Sequence, residues 1–334
     1  MALETATCTD RVRLLDVDRA KGLAIFLVVF GHLFINKVPA GQEWYFSLDL
    51  VIYKFHMSFF MFITGLVMFY TYPRIDTISD YLAYVRKKFI RFIPAYLLFA
   101  VVVWLGKFLF GMFSDVERPV TGLSDFVNVL IRPRYSHCGS LWYIYVCFIY
   151  FMVIPIMLKL VKQRIEFLLL FALVLYFVPG TTYFALDQVF EYIFVFLLGG
   201  YAACHLREYT GLIDRYSFLF LAVFVGALVL AFLFDIPKIM LGLLCLPALH
   251  SLVRWRIFER SFFLTTFGKY TFPIYLMNTM AIGVPSVMMR KYGFWDGPVS
   301  FIVVPVLLVS GLALPILAQK LFISRVPGLR SIIR

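Results

Sequence analysis

Apolar runs long enough to cross a bilayer recur from one end of this 334-residue chain to the other. A bilayer's hydrocarbon core is about 30 Å thick, and about 20 apolar residues of helix cross it. Backbone polar groups in hydrocarbon must be satisfied within their own segment, so a chain of this pattern folds as a helical bundle. Only 15% of its residues are charged, against roughly 25% in a soluble domain. No stretch is polar enough for a separate soluble domain. Residues 1–334 therefore read as one all-α, polytopic membrane domain, and any chemistry has to be done inside the bundle.

Ten spans are expected, at about 19–37, 47–72, 92–113, 139–158, 166–179, 186–204, 216–234, 237–253, 266–289 and 297–322. The longest connection, 114–138, holds Asp115, Glu117, Arg118, Arg132, Arg134 and His137. The net charge of +12 comes from basic residues clustered between the apolar runs. Lys and Arg mark cytoplasmic loops. Ten alternating helices with the N-terminus inside put most of them on the inner side, so both termini are expected to be cytoplasmic. The same clustering speaks for topology, with anionic membrane lipid and phosphate-bearing ligands as the remaining partners, and not for nucleic acid. Arg11, Arg13, Arg19 and Lys21 before an apolar run imitate a signal peptide, but no small-residue cleavage site follows, which reads as a retained first helix. Cys8, Cys138, Cys147, Cys204 and Cys245 show neither paired nor metal-type spacing, so no disulfide framework and no metal is expected. No phosphate-binding loop, zinc motif, G-x-S-x-G, dinucleotide fingerprint or internal repeat is present.

Asp18 to His32 reads DRAKGLAIFLVVFGH: charges at the foot, then an apolar helix, then one histidine. Lys21 and His32 are eleven residues apart. At about 100° per residue that is three turns plus roughly 20°, which puts both on one face about 16 Å apart along the axis. Asp18 lies near the same stripe. Ionisable groups at membrane depth are costly and usually functional. His56, in YKFHMSFFMFITG, falls about eight residues into the second span, roughly 12 Å below the outer surface. The two histidines thus reach similar depths and are candidate catalytic residues lining one cavity, because an imidazole accepts a hydroxyl proton near neutral pH. Bonding to a neighbouring helix is the plainer role for each.

Lys88 and Arg91, three apart, project from one helical face on the side where Lys21 lies. The three cations suit the phosphates of an anionic cofactor; positive-inside flanking is the simpler account of them. Glu191 is placed to pair with Arg132 or Arg134, or to bind a substrate hydroxyl. His137 and Trp142 begin the fourth span, where Trp142 is either an interface anchor or a sugar-stacking surface. His205 and His250 read as structural. Asn278 is polar inside the ninth span, with interhelical hydrogen bonding as its default.

The pattern D-x-x-K-G-L-A-I-x-L-V-V-F-G-H, Asp18 to His32, resembles the first-helix motif of the acyltransferase-3 family of integral membrane O-acyltransferases. In that family a basic residue, usually arginine, precedes the histidine by eleven positions; the lysine form here resembles the fucose 4-O-acetylase branch. FHMSFFMFITG, Phe55 to Gly65, is similar to the family's FH-x-P-FFF-x-SG, with Ser58 where proline is common. Lys88-x-x-Arg91, with Pro94 and Tyr96 following, resembles its R-x-x-R and R-x-x-P-x-Y. Leu141-Trp142-Tyr143 is similar to its LWF segment. FGKYTFPIYLMN, Phe267 to Asn278, is similar to its late G-x-x-S-x-x-IYL-x-H, with Thr271 and Asn278 in place of serine and histidine.

The resemblance implies an acyl donor, usually acetyl-CoA, taken from the cytoplasm, and as acceptor a sugar hydroxyl of a surface or extracellular polysaccharide precursor, free or lipid-linked. The implied location is a bacterial inner membrane. Under it, Lys21, Lys88 and Arg91 hold the CoA phosphates. His32 takes the acceptor proton, directly or after holding the acyl group itself, and His56 orients the reacting groups or supplies a second proton site. Asp18, Glu191, Trp142 and Asn278 are left to substrate binding or structural support. Some members carry a fused esterase-like domain; direct transfer by the bundle is the expectation for this chain. A transporter or flippase for a lipid-linked sugar is the alternative that ten helices and a polar mid-membrane site allow, and an inert scaffold subunit of an export complex is a third.

Overall fold

The computed structural model describes residues 13–34, 38–112, 118–296 and 299–333; Cys8, Asp115 and Glu117 lie outside them. The described residues form sixteen α-helices joined by turns and short 3-10 segments, without a strand. In chain order these are α1 Leu15–Phe30, α2 Glu43–Ile52, α3 His56–Tyr70, α4 Ile78–Gly111, α5 Asp125–Ile131, α6 Trp142–Leu160, α7 Ile165–Tyr176, α8 Leu186–Cys204, α9 Leu206–Arg215 and α10 Ser217–Leu233. They continue with α11 Lys238–Leu252, α12 Arg256–Glu259, α13 Phe262–Lys269, α14 Thr271–Lys291, α15 Val303–Leu321 and α16 Pro327–Ile332.

The fold corrects the count of ten spans. Among the described residues six helical segments are long and apolar enough to cross a membrane: Glu43–Tyr70, Ile78–Gly111, Gly139–Leu160, Tyr183–Cys204, Thr271–Lys291 and Ser300–Arg325. A seventh exists only if α9 and α10, bent by 72°, are taken as one span. The chain is an integral, multi-pass membrane protein. The expected first, fifth and eighth spans are α1, α7 and α11, with 16, 12 and 15 residues. Helix rise makes them about 24, 18 and 22 Å long, short of about 30 Å of hydrocarbon. The apolar runs are there, but as helices they are too short to cross. α1 gives way at Gly31, α7 ends before Pro179-Gly180, and α11 begins behind Pro237. The cytoplasmic placement of both termini is an expectation drawn from ten alternating spans, and helix length does not test it.

Small residues let the central helices meet backbone to backbone, as is usual where lipid supplies no hydrophobic drive between helices. A Cβ added at Gly65 of α3 would stand 1.9 Å from the Phe196 carbonyl oxygen of α8, and one at Gly199 of α8 would stand 2.0 Å from that of Phe62. α1 meets α13 in the same way, through Gly22 against Leu264 and Gly268 against Asp18. Two glycines of the sequence motifs, in KGLA and FGKY, are therefore packing residues.

One end of the bundle gathers the foot of α1, the C-termini of α3, α6 and α11 and the start of α4. There His250 Nε2 of α11 lies 3.6 Å from Asp16, Arg254 bridges Asp16 and Asp214, and Arg19 Nε donates to the Val253 carbonyl at 2.8 Å. Phe62 contacts His250, Tyr72 contacts Tyr84, and Lys159 Nζ donates to the Asp76 carbonyl at 3.2 Å. Burial alone would raise the Asp16 carboxyl; His250 and Arg254 outweigh it and hold that carboxyl well below the ordinary carboxylate range.

Candidate active site

His32 does not stand within α1 but in the turn just beyond it, its amide bonded to the Val29 carbonyl at 3.1 Å. A helix that ends inside a bundle leaves carbonyls without intrahelical partners. Two tyrosines of the following segment supply donors: Tyr45 OH to the Phe30 carbonyl, and Tyr53 OH to that of Gly31 at 2.9 Å. The His32 ring reaches α14, where its Nδ1 lies 3.0 Å from Asn278 Oδ1. The first and last sequence motifs thus meet through these two side chains.

His56 is the first residue of α3, behind a break at residues 53–55 that separates it from α2. It is buried, and its Nδ1 donates to the Ile52 carbonyl at 2.8 Å, which leaves the Nε2 lone pair in the neutral ring. Irregular backbone at membrane depth is tolerated where it lines a cavity, and here it does. Lys54 ties the break to the α10–α11 turn through Asp235 Oδ1 at 2.6 Å and the Ile236 carbonyl at 3.1 Å. The same ammonium holds the exposed Asp235 carboxyl below its ordinary value.

A cavity of about 50 Å³ lies between these elements. His32 and His56 line it together with Tyr53, Arg134, Trp142, Tyr192, Lys238 and Tyr275. Lys238, at the start of α11, forms an ion pair with Glu191 and donates to Tyr192 OH at 2.7 Å. The Tyr192 ring packs on Trp142 at 5.4 Å. The exposed Arg134 donates to Gln188 Oε1 and lies 5.9 Å above the Trp142 ring. The wall is thus two imidazoles, an indole, phenols, two cations and, one residue behind, a carboxylate. It combines proton acceptors with an aromatic face and hydrogen-bonding groups, the means by which proteins hold and deprotonate a polyhydroxyl compound. Arg134 stands exposed at the rim of this cavity.

Four of the residues singled out from sequence lie away from this cavity. Asp18 and Lys21 pair at 3.3 Å at the foot of α1, and Arg13 also reaches Asp18. Lys88 lies 4.3 Å from the centre of the Phe151 ring, and Arg91 lies over Phe92. None of the four lines the cavity of His32 and His56. His137 is buried and bonds the Ala100 carbonyl at 3.0 Å, and His250 bonds Tyr209, so both are structural in their contacts. Among the described residues no group of three or more His, Cys, Asp and Glu is placed to hold a metal ion.

The family model described as an acyltransferase domain, of the acyltransferase-3 type, matches residues 14–320. The chain belongs to the acyltransferase-3 family. It is similar to nodulation protein NolL of Mesorhizobium japonicum, at 26% identity over 222 residues, which are 66% of this chain and 56% of NolL. The match thus spans little more than half of that relative's length. No solved structure matches the chain.

Within this chain the structure joins His32, His56 and Trp142 around one cavity, ties Asn278 to His32, and brings in Glu191 through Lys238. Glu191 takes Lys238 as its partner and neither Arg132 nor Arg134; Arg132 instead bonds Tyr183. Lys238 escaped the sequence reading, as did Tyr53, Tyr192 and Tyr275. For Lys238 a signal existed: it stands alone behind Asp235-Ile236-Pro237 at the mouth of an apolar run, away from the basic clusters.

Proposed function

We propose that the protein is an O-acetyltransferase that moves an acetyl group from acetyl-CoA to a sugar hydroxyl of a surface or extracellular polysaccharide precursor. The observation that carries this reading is the cavity that His32, His56 and Trp142 line together. The Lys21, Lys88 and Arg91 cations bind the CoA phosphates, and the pantetheine arm brings the thioester to His32. Trp142 stacks on the sugar, with Glu191, Lys238 and Arg134 bonding its hydroxyls. His32 takes the acceptor proton, and the carbonyl end of α1 faces the positive charge that then develops on its ring. His56 orients the reacting groups. The lysine form of the first motif supports a fucose 4-O-acetylase-like branch, and a bacterial inner membrane suits donor and acceptor. Residues 1–334 act as a single catalytic domain.

The test is transfer of label from acetyl-CoA to a sugar-lipid extract by membranes containing the protein, beside His32→Ala checked for folding by size exclusion. Label appears on glycan with wild type only. A folded His32→Ala protein that still transfers would end the mechanism. The break at 53–55 favours one second reading, since transporters build sites from broken helices; sugar uptake without an acetylated product would establish it.

A further inference from the structure

We propose that Asn278 is the positioning residue of the candidate base: it holds the His32 ring as the Nδ1–H tautomer and so sets the lone pair on Nε2. The proposal rests on the reading of His32 given above and adds to it a cause for which ring nitrogen reacts. The argument starts from the amide. Asn278 Nδ2 donates to two carbonyls of its own helix, Ile274 at 3.0 Å and Tyr275 at 2.8 Å. Rotating the amide by half a turn would set Oδ1 against those two oxygens, acceptor against acceptor, so the orientation is fixed by its own helix. The atom left facing His32 Nδ1, 3.0 Å away, is Oδ1, which only accepts. A neutral imidazole bears one N–H, and the partner of one nitrogen decides which. The proton therefore resides on Nδ1. Asn278 is 1% exposed, so water does not compete for the bond.

The consequence for transfer is direct. The acceptor O–H gives its proton to Nε2 while its oxygen attacks the thioester carbonyl carbon of acetyl-CoA. The C–S bond then breaks, and the imidazolium returns the proton to the departing CoA thiolate. Through both steps Asn278 Oδ1 keeps Nδ1–H and steadies the ring. The titratable and charged groups sharing the cavity are His56, Tyr53, Arg134, Tyr192, Lys238 and Tyr275, with Glu191 behind Lys238.

The experiment uses the full chain labelled with 15N-histidine in detergent, the His32 signals being assigned by their loss in His32→Gln. Wild type shows a protonated Nδ1 and a bare Nε2. Asn278→Ala gives a tautomer mixture, with kcat lower by about tenfold or more and the KM for acetyl-CoA unchanged, the scale of one lost hydrogen bond at a general base. Asn278→Asp keeps an acceptor and therefore the tautomer, but its charge favours the protonated ring, so the acid limb of kcat/KM moves to higher pH. A wild-type spectrum with the proton on Nε2 overturns the proposal. So does a folded Asn278→Ala protein with wild-type tautomer and kcat. If wild type transfers nothing, the functional reading fails and the spectra alone decide the part played by Asn278.

Discussion

Gly65→Ala perturbs one of the two closest glycine contacts between helices among the described residues. The added Cβ would lie 1.9 Å from the Phe196 carbonyl oxygen and 2.8 Å from its carbon. Ordinary contact begins at 3.4 Å, so α8 would have to retreat by about 1.5 Å. The obstacle is backbone, which cannot rotate aside, and the Gly199–Phe62 contact one helix turn away resists the same retreat. Overpacking costs about 1–3 kcal/mol, and two opposed backbones put this case at the upper end. A kilocalorie shifts Tm by roughly 2–4 °C in chains of 150–250 residues, so the expected fall is on the order of 5 °C in a thermal melt in detergent. Gly106→Ala in α4 is the control, because nothing lies within 4 Å of its added Cβ. It is expected to leave Tm unchanged or raise it, as alanine is about 1 kcal/mol better than glycine in a helix. A Gly65→Ala protein that melts with wild type, or an equal loss in Gly106→Ala, would refute the close-approach argument.

Two further perturbations read polar links. Lys238→Met strands the Glu191 carboxylate; with the two side chains 36% and 25% exposed, the cost is about 1–2 kcal/mol, below that of a fully buried pair. Adding Glu191→Gln is expected to recover most of the lost Tm, and a strictly additive double variant would show that the pair is not coupled. Asp16→Asn removes a carboxylate held below its ordinary value by His250 and Arg254. A depressed carboxyl stabilises the fold fully above about pH 4 and loses that contribution as pH falls through its lowered value. The Tm gap between wild type and Asp16→Asn should therefore be widest near neutrality and close on strong acidification; a gap that widens in acid would contradict the assignment.

Much of the candidate site was readable because it is built from residue types that lipid penalises. A histidine at His32, another at His56 and an amide at Asn278 each stand out in apolar runs, and the structure places the first two in one cavity and bonds the third to the first. What could not be read is the set of partners. Nothing in the chain order says that Glu191 meets Lys238, because that pair depends on how α8 and α11 pack. Tyrosines were invisible for another reason. Twenty of them occur in the chain, and only a structure shows that Tyr45 and Tyr53 close the end of α1 while Tyr192 bridges Lys238 and Trp142.

The misread first span and the placement of His32 have one physical origin. A hydropathy pattern records where a chain tolerates lipid; it does not record where the helical bonds stop. α1 is about 24 Å long and stops short of a full crossing, and its stop is what sets His32 beside the bundle's interior. The α2–α3 break carries neither glycine nor proline, since Tyr53-Lys54-Phe55 interrupts the helix, yet it sets His56 at the head of α3. α11 begins behind Pro237, and that start brings Lys238 to the same wall. Helix ends free backbone groups and admit polar side chains, which an uninterrupted span in lipid does not. A membrane-embedded site for polar reactants is favoured where helices end or break, and the end of α1, the break at 53–55 and the start of α11 all border the cavity.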